Sequence, residues 1–542
     1  MRRIISLKTL PIFSNQLYML KHNVIIKTEF LLMILLLAAC SGGGDRADTT
    51  GSNNGVALTG GGLTGVPVVT SKVSGTVVDK NGVPISGVTI SVFHHNENST
   101  VTTTTDTNGN YTVSGQSTGI NSDYAIYAGK AGFGFLPSVS DAAGSVGKFD
   151  FNGLYRTVIR FLSMPSHDVS NVNFTAFRPG DKMASLPRTG QTLSYASGDD
   201  YSAKAGVAWP STRFTDNQNG TVTDHLTGLI WLKNAGCLNP TDWSTALTAA
   251  NQLASGTCGL TDSSIKGQWR MPNINELESL VDVSQMNPAV SASAPFTTIN
   301  LTNAYWSSTT YTAGPGNAMA IRFTDGRWIN GADAEDGSFN NGKTTSTNSL
   351  WAVRSGTAGT IQLLATGASS GPAGGGSGAS YGINDDASLQ IGAPLTSPRF
   401  IDNGNGTVAD TVTGLTWLKK ADCINQSWSS ALSTINNLSS GQCGLTDGST
   451  AGQWRMPNRS EMLSLSDRAP TFPQANYFNG IPGPDGITVI NTVIFNNFIV
   501  SDYYWTSTTS AVDTTQAWTI YSCDFGVYNI AKTDIRYSLA VR

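Results

Sequence analysis

From Val73 onward the chain carries short runs in which apolar and polar residues alternate. Val73-Ser-Gly-Thr-Val-Val-Asp79 alternates into the turn Lys80-Asn-Gly-Val-Pro84. Ile85–Phe93, Val101–Thr105, Tyr111–Val113, Tyr124–Tyr127 and Val169–Phe177 follow. Strand side chains alternate between faces. Short strands separated by turn signals about every ten residues predict a β-sandwich over 71–180. His94 and His95 are neighbours on one such strand, so they point to opposite faces and read as solvated edge residues. Beyond 180 the period changes. Trp243, Ala246, Leu247, Ala250 and Leu253 recur at helical spacing, and Trp428, Ala431, Leu432, Ile435 and Leu438 repeat them. Leu277, Leu280 and Val281, matched by Met462 and Leu465, mark a second short helix in each copy. The remainder reads as strands and long polar loops, so these later modules are expected to be α+β.

The N-terminal pattern is different again. Phe30–Ala39 is a continuous apolar run, too short for a bilayer span of about 20 residues. Lys21 and Lys27 precede it, and Leu37-Ala-Ala-Cys40-Ser-Gly-Gly-Gly44 follows. A charged segment, an apolar segment and a small-residue cleavage site make a signal peptide over 1–40, with Met19 an alternative start. Leu-Ala-Ala-Cys resembles the bacterial lipobox, which implies lipidation of Cys40 and a lipid-anchored protein of the bacterial cell envelope. Ser41 in the next position, in place of Asp, points to the outer membrane or cell surface. Residues 41–70 are rich in Gly, Ser and Thr and read as a flexible tether.

The dominant feature is an internal repeat. Arg213-Phe-Thr-Asp-Asn-Gln-Asn-Gly-Thr-Val-Thr-Asp224 recurs as Arg399-Phe-Ile-Asp-Asn-Gly-Asn-Gly-Thr-Val-Ala-Asp410. Leu226-Thr-Gly-Leu-Ile-Trp-Leu-Lys233, Gly267-Gln-Trp-Arg-Met-Pro-Asn273, Tyr305-Trp-Ser-Ser-Thr-Thr310 and Ala352-Val-Arg354 recur in the same order, ending at Arg542. The lead-in repeats too, Gly198-Asp-Asp200 against Asn384-Asp-Asp386. Two long copies mean tandem globular modules rather than a solenoid.

These blocks resemble the Lcl C-terminal domain family, and the resemblance covers 186–354 as a first copy and 396–542 as a second. A flexible linker and lead-in, 355–395, separates them. The W-R-M-P-N-x-x-E and W-S-S-T blocks also look like the C-type-lectin-like, sulfatase-modifying-factor type of fold. The G-x-V-x-D-x-x-G-x-P-x-x-G-V run and the later T-D-x-x-G-x-Y resemble carboxypeptidase regulatory-like domains, of immunoglobulin- or prealbumin-like fold, over 71–180. The expected fold class is therefore multidomain, an all-β sandwich followed by two α+β C-type-lectin-like modules. The family implies surface adhesion.

Composition narrows the function. Lys and Arg number 33 against 37 Asp and Glu, and charged residues are 13% of the 542, about half the usual share. The first copy has 10 basic and 13 acidic residues, the second 9 and 13. Neither is a basic module, so nucleic acid and polyanionic glycans are poor partners. Cys237 with Cys258, and Cys423 with Cys443, bracket equivalent helices at spacings of 21 and 20 and are expected to form disulfides in an oxidising compartment. Cys523 is left over, as a buried free thiol, an intermolecular bridge or a nucleophile.

Asp216, Asn217, Asn219 and Asp224, with Asp402, Asn403, Asn405 and Asp410, offer hard oxygen ligands and invite calcium as the one candidate ion. They also read as β-hairpins around Asn-Gly turns. Asn273 with Glu276, and Asn458 with Glu461, read as helix caps. A Ser-His-Asp or Cys-His site common to both copies is excluded, because His225 is replaced by Thr411 in the second copy. No catalytic residue is assigned. Trp306, Trp328, Trp505 and Trp518 are the candidates for a carbohydrate-binding platform, with core positions as the alternative. The expectation is a non-enzymatic surface lipoprotein that binds a glycan or protein ligand. A structural surface or appendage component is the second reading, and an enzyme related to the sulfatase-modifying-factor fold the third.

Overall fold

The computed structural model describes residues 70–119, 122–151, 154–311, 316–329, 341–368, 384–468, 495–499, 502–522 and 525–542. The expected signal segment, Cys40, nearly all of the tether and Cys523 lie outside the described residues. Among the described residues no helix is long and apolar enough to cross a membrane.

The first nine strands are β1 (Thr70–Asp79), β2 (Thr89–His94), β3 (Ser99–Thr104), β4 (Asn110–Ser117), β5 (Tyr124–Gly129), β6 (Gly134–Val139), β7 (Gly144–Phe151), β8 (Leu154–Phe161) and β9 (Val172–Phe177). They form two sheets, ordered β4-β1-β9-β6 and β3-β2-β5-β8-β7. Val73, Val77, Tyr111 and Phe174 from the first sheet share one core with Ile90, Val92, Ile126 and Ile159 from the second. This is the N-terminal β-sandwich that the alternation predicts. Its turns follow from side-chain chemistry. The Asp79 carboxylate accepts from the backbone N–H of Asn81 and Val83, and Asp106 does the same for Asn108 and Asn110. β7 and β8 were not legible in the alternation. The histidine reading needs correction, because β2 is an interior strand: His94 is 4% exposed and stacks on Tyr124 at 4.3 Å.

Module one opens with a one-turn helix, α1 (Asp200–Ala203). It contains β10 (Phe214–Asp216), β11 (Thr221–Asp224), β12 (Leu229–Leu232), β13 (Leu238–Thr241), α2 (Trp243–Gln252), α3 (Ile274–Ser279), β14 (Tyr305–Thr310), β15 (Ala318–Arg322), β16 (Arg327–Ile329), β17 (Asn348–Leu350) and β18 (Val353–Ser355). Two sheets result, β10-β11-β12-β18 and β13-β17-β14-β15-β16.

Module two repeats the plan. α4 (Asp386–Leu389) leads to β19 (Phe400–Asp402), β20 (Thr407–Asp410), β21 (Thr416–Leu418), β22 (Ile424–Gln426), α5 (Trp428–Asn436), α6 (Arg459–Ser464), β23 (Tyr503–Thr509), β24 (Gln516–Tyr521), β25 (Val527–Ala531) and β26 (Arg536–Ser538). Its sheets are β19-β20-β21 and β22-β26-β23-β24-β25. α2 and α5 bury their Trp-Ala-Leu faces, and the indole N–H groups of Trp243 and Trp428 donate to the carbonyls of Ser307 and Thr506, both at 2.8 Å. The disulfides Cys237–Cys258 and Cys423–Cys443 bracket these helices as expected.

The two modules are not beads on a string. Leu280, Val281 and Trp328 of module one belong to the same continuous apolar cluster as Met462, Leu463 and Trp518 of module two. The described parts of the expected linker are hydrogen-bonded: Ile361 N–H donates to Leu226 O at 2.9 Å, Ala365 N–H to Ala393 O at 2.8 Å, and Ala393 N–H to Leu363 O at 2.7 Å. Its Gly-rich centre, 369–383, lies outside the described residues.

Candidate functional site

The repeated motifs converge on one architecture in each module. Asn273 Oδ1 accepts from Glu276 N–H at 2.9 Å, while the Glu276 carboxylate accepts from Asn273 N–H at 2.8 Å. This reciprocal cap starts α3. Arg270 then clamps the same carboxylate with both terminal nitrogens at 2.6 Å. Arg455, Asn458 and Glu461 reproduce the arrangement at the start of α6. Glu276 and Glu461 are each 2% exposed and already fully engaged.

The strands Tyr305-Trp-Ser-Ser-Thr-Thr310 and Tyr504-Trp-Thr-Ser-Thr-Thr509 lie beside these caps. Thr309 Oγ1 accepts from Ile274 N–H at 3.0 Å, and Thr508 Oγ1 accepts from Arg459 N–H at 3.0 Å. Each hydroxyl then donates to an aspartate belonging to the other module's lead-in. Thr309 donates to Asp386 Oδ2, and Thr508 to Asp200 Oδ2, both at 2.7 Å. A second threonine from the same lead-in completes each aspartate: Thr366 to Asp386 at 2.6 Å, Thr189 to Asp200 at 2.5 Å. Burial raises both carboxyls to about 6.

The capping asparagines also reach across, Asn273 Nδ2 to Ile391 O at 3.1 Å and Asn458 Nδ2 to Ala205 O at 3.3 Å. Thr509 N–H donates to Gln191 Oε1 at 2.8 Å. The lead-ins are thus exchanged: each one closes the module it does not precede.

A lysine flanks each junction. Lys343 Nζ donates to Thr310 Oγ1 at 2.8 Å and sits 4.2 Å above the Trp243 ring. Lys532 Nζ donates to Thr509 Oγ1 at 2.9 Å, lies 4.0 Å over Trp428, and touches Tyr195 of the exchanged lead-in at 4.9 Å. Burial lowers both amines to about 8. Between the modules Arg459, fully buried, pairs with Glu278 at 2.8–2.9 Å and lies 4.4 Å over Trp518, while the Trp328 N–H donates to the same Glu278 at 2.6 Å.

The four candidate tryptophans do not form a platform. Trp306, Trp328, Trp505 and Trp518 are at most 2% exposed. Their strands are covered on both sides, so these rings are core. The calcium sets do not converge either. Asp216 bonds Lys233 at 2.6 Å, whereas Asp224 lies on the facing strand opposite Phe214 and pairs with Arg213. Asn217 and Asn219 bond Thr221 within the turn. Asp402 bonds Lys419, Asp410 bonds Arg399, and Asn403 and Asn405 bond Thr407. The hairpin is the arrangement present, and among the described residues no group of three His, Cys, Asp or Glu side chains is placed to hold a metal. Asp200, Asp386, Lys343, Lys532 and Arg459 were not singled out from the sequence. The repeated Asp-Asp pair in each lead-in was their visible signal.

The Lcl C-terminal domain model matches residues 220–354 and 406–542, together half of the chain. The chain therefore belongs to the Lcl C-terminal domain family, here as two interlocked copies. A carboxypeptidase regulatory-like domain matches 72–136, within the sandwich. No curated protein matches the chain. Among solved structures, a streptococcal ancillary pilin aligns at 15% identity over 24% of this chain, with a TM-score of 0.14. This chain spans 39% of that pilin chain. Invasin, a bacterial integrin-binding protein, aligns at 11% identity over 87% of this chain and 99% of its own, with a TM-score of 0.13. At these scores neither defines a shared overall fold.

Proposed function

We propose that this is a lipid-anchored protein of the bacterial cell surface, held by Cys40, that uses its two Lcl-type modules for adhesion or ligand binding. The observation that carries the reading is the pair of family modules fused into one body by exchanged lead-ins. Two modules joined in this way, following a sandwich and a Gly-, Ser- and Thr-rich segment in the sequence, suit presentation of a binding surface. The C-type-lectin-like character of the modules belongs to this reading, as does an outer-membrane location. A binding role is preferred to catalysis because the repeated carboxylates Glu276 and Glu461 are spent on helix caps and arginine clamps. The interlock also suits a structural surface or appendage component, whose partners are proteins.

The test is a binding screen of the full chain on a glycan array and on a panel of extracellular-matrix proteins, with metabolic palmitate labelling of wild type and Cys40→Ala in parallel. Saturable binding to one class, and label lost in the variant, are expected. No binding to either panel would overturn the adhesive role, and unlabelled wild type the lipid anchor.

A further inference from the structure

The two lead-ins are equivalent, yet their outer surfaces are treated differently. Pro187 bridges Val207, and Leu364 bridges Ala393 in the same parallel sense. Thr189 and Thr366 hold Asp200 and Asp386 alike. The equivalence fixes five more pairs: Arg188 with Ala365, Gln191 with Ala368, Tyr201 with Ala387, Lys204 with Gln390, and Trp209 with Leu395.

On the second lead-in this surface is a dock for the sandwich. Leu136, Val146 and Thr157 close over Ala365, Ala368, Gln390 and Leu395, leaving a residual cavity of about 90 Å³. Phe135 and Ser397 exchange backbone hydrogen bonds at 3.0 and 2.9 Å, as antiparallel strands do. Gly134 allows the approach, since a Cβ there would lie 2.3 Å from Pro398 O.

On the first lead-in the corresponding surface is an open pocket of about 180 Å³, and no described residue outside Arg188–Trp209 lines it. Ala365, Ala387, Gln390 and Leu395 are replaced by Arg188, Tyr201, Lys204 and Trp209. Tyr201 is 39% exposed with Lys204 Nζ 5.5 Å over its ring. Arg188 Nε is buried with no hydrogen-bond partner. Ser211, the counterpart of Ser397, is exposed and makes no backbone hydrogen bond among the described residues. The one acid in the pocket, Asp200, is tied to two threonines at its floor. By contrast, a roomier cavity, about 390 Å³ between Thr227–Leu229 and Ser355–Leu363, has no cation or aromatic on its walls.

We propose that the Arg188–Trp209 pocket of the first lead-in docks an extended, acidic strand edge of a partner protein, in the position that the chain's own sandwich takes on the second. The unpaired Ser211 backbone offers strand addition. Arg188 and Lys204 supply charge-assisted bonds to a carboxylate, and Tyr201 and Trp209 flank it. The inference rests on the ligand-binding role above and names a site and a partner class for it.

The test uses the full chain and three labelled hexapeptides: the β6 sequence Gly134–Val139, the same with Leu136→Glu, and the same with Leu136→Lys. Fluorescence anisotropy reads affinity, and hydrogen exchange reads protection of 188–212. The glutamate peptide is expected to bind about tenfold or more tighter than the lysine peptide, and to protect Ser211. Lys204→Glu, a surface change that leaves the fold intact, should abolish the preference, and Arg188→Ala should weaken it. Gln390→Ala should change nothing. Equal binding of all three peptides, or no protection at 188–212, overturns the proposal. So does displacement of the peptide by glucuronate with the same sensitivity to the variants, which would make this a sugar-acid site. A glycan or matrix ligand that binds regardless of Lys204→Glu overturns this site alone and leaves the adhesive role standing.

Discussion

Thr508 donates its hydroxyl proton to Asp200, 308 residues earlier in the chain, at 2.7 Å. Thr309 and Asp386 repeat the contact in mirror fashion. Each pair joins one module's central strand to the lead-in of the other. Separating the modules would take from each carboxylate one of the two threonine hydroxyls that it accepts from.

Removing the donor tests this directly. Thr508→Val and Thr309→Val keep the shape and delete the hydroxyl. Each is expected to destabilise by about 1–3 kcal/mol in urea denaturation. The conservative Thr→Ser variants should recover most of it. Loss below about 0.5 kcal/mol for both valine variants would show that the exchanged lead-ins are held by something else.

The same aspartates set a pH dependence. Their folded-state values of about 6 lie above the ordinary 3.8, because burial disfavours the charged form. Their stabilising contribution is therefore complete below about pH 4 and is lost as pH rises through 6. Urea stability at pH 5.0 should exceed that at pH 7.5 by on the order of 1–2 kcal/mol per site. The difference should shrink in the Asp200→Asn, Asp386→Asn double variant. A wild type that gains stability from pH 5.0 to 7.5 would contradict it.

Arg459 is the charge to break between the modules. It has no exposed surface and its partner is Glu278. Arg459→Ala leaves that carboxylate facing a buried gap and is expected to cost about 3–5 kcal/mol. Arg459→Lys should rescue little, since one ammonium cannot make the forked contact or the flat stack on Trp518. Thermal melts of the three proteins measure this.

Calcium should do nothing to the hairpins. Lys233 and Lys419 already neutralise Asp216 and Asp402. Melting temperature is expected to be the same with millimolar calcium and with chelator. A rise with calcium that Asp216→Asn removes would restore the metal site.

Much of the local structure was legible. Asn273 and Glu276 are three apart before an apolar run, and that spacing alone specifies a cap. The Cys237–Cys258 pairing is visible because Cys423 and Cys443 nearly repeat its spacing around the equivalent helix. Burial of Trp306 and Trp505 was harder, since an aromatic amid Ser and Thr suits a wet surface and a strand buried on both faces alike. The lead-in exchange was not legible. Asp200 and Asp386, and Thr309 and Thr508, are the same residues in both copies, so the sequence specifies the contact without saying which copy supplies which half. The asymmetry between Arg188 and Ala365 was equally hidden, because it acquires meaning only when the sandwich is seen over one of them.

The central claim is that the two modules are one cooperative body. Differential scanning calorimetry of the full chain tests it most directly. A single transition is expected to cover both modules, splitting in two in the Asp200→Ala, Asp386→Ala double variant. Two independent module transitions in the wild-type chain would contradict the account.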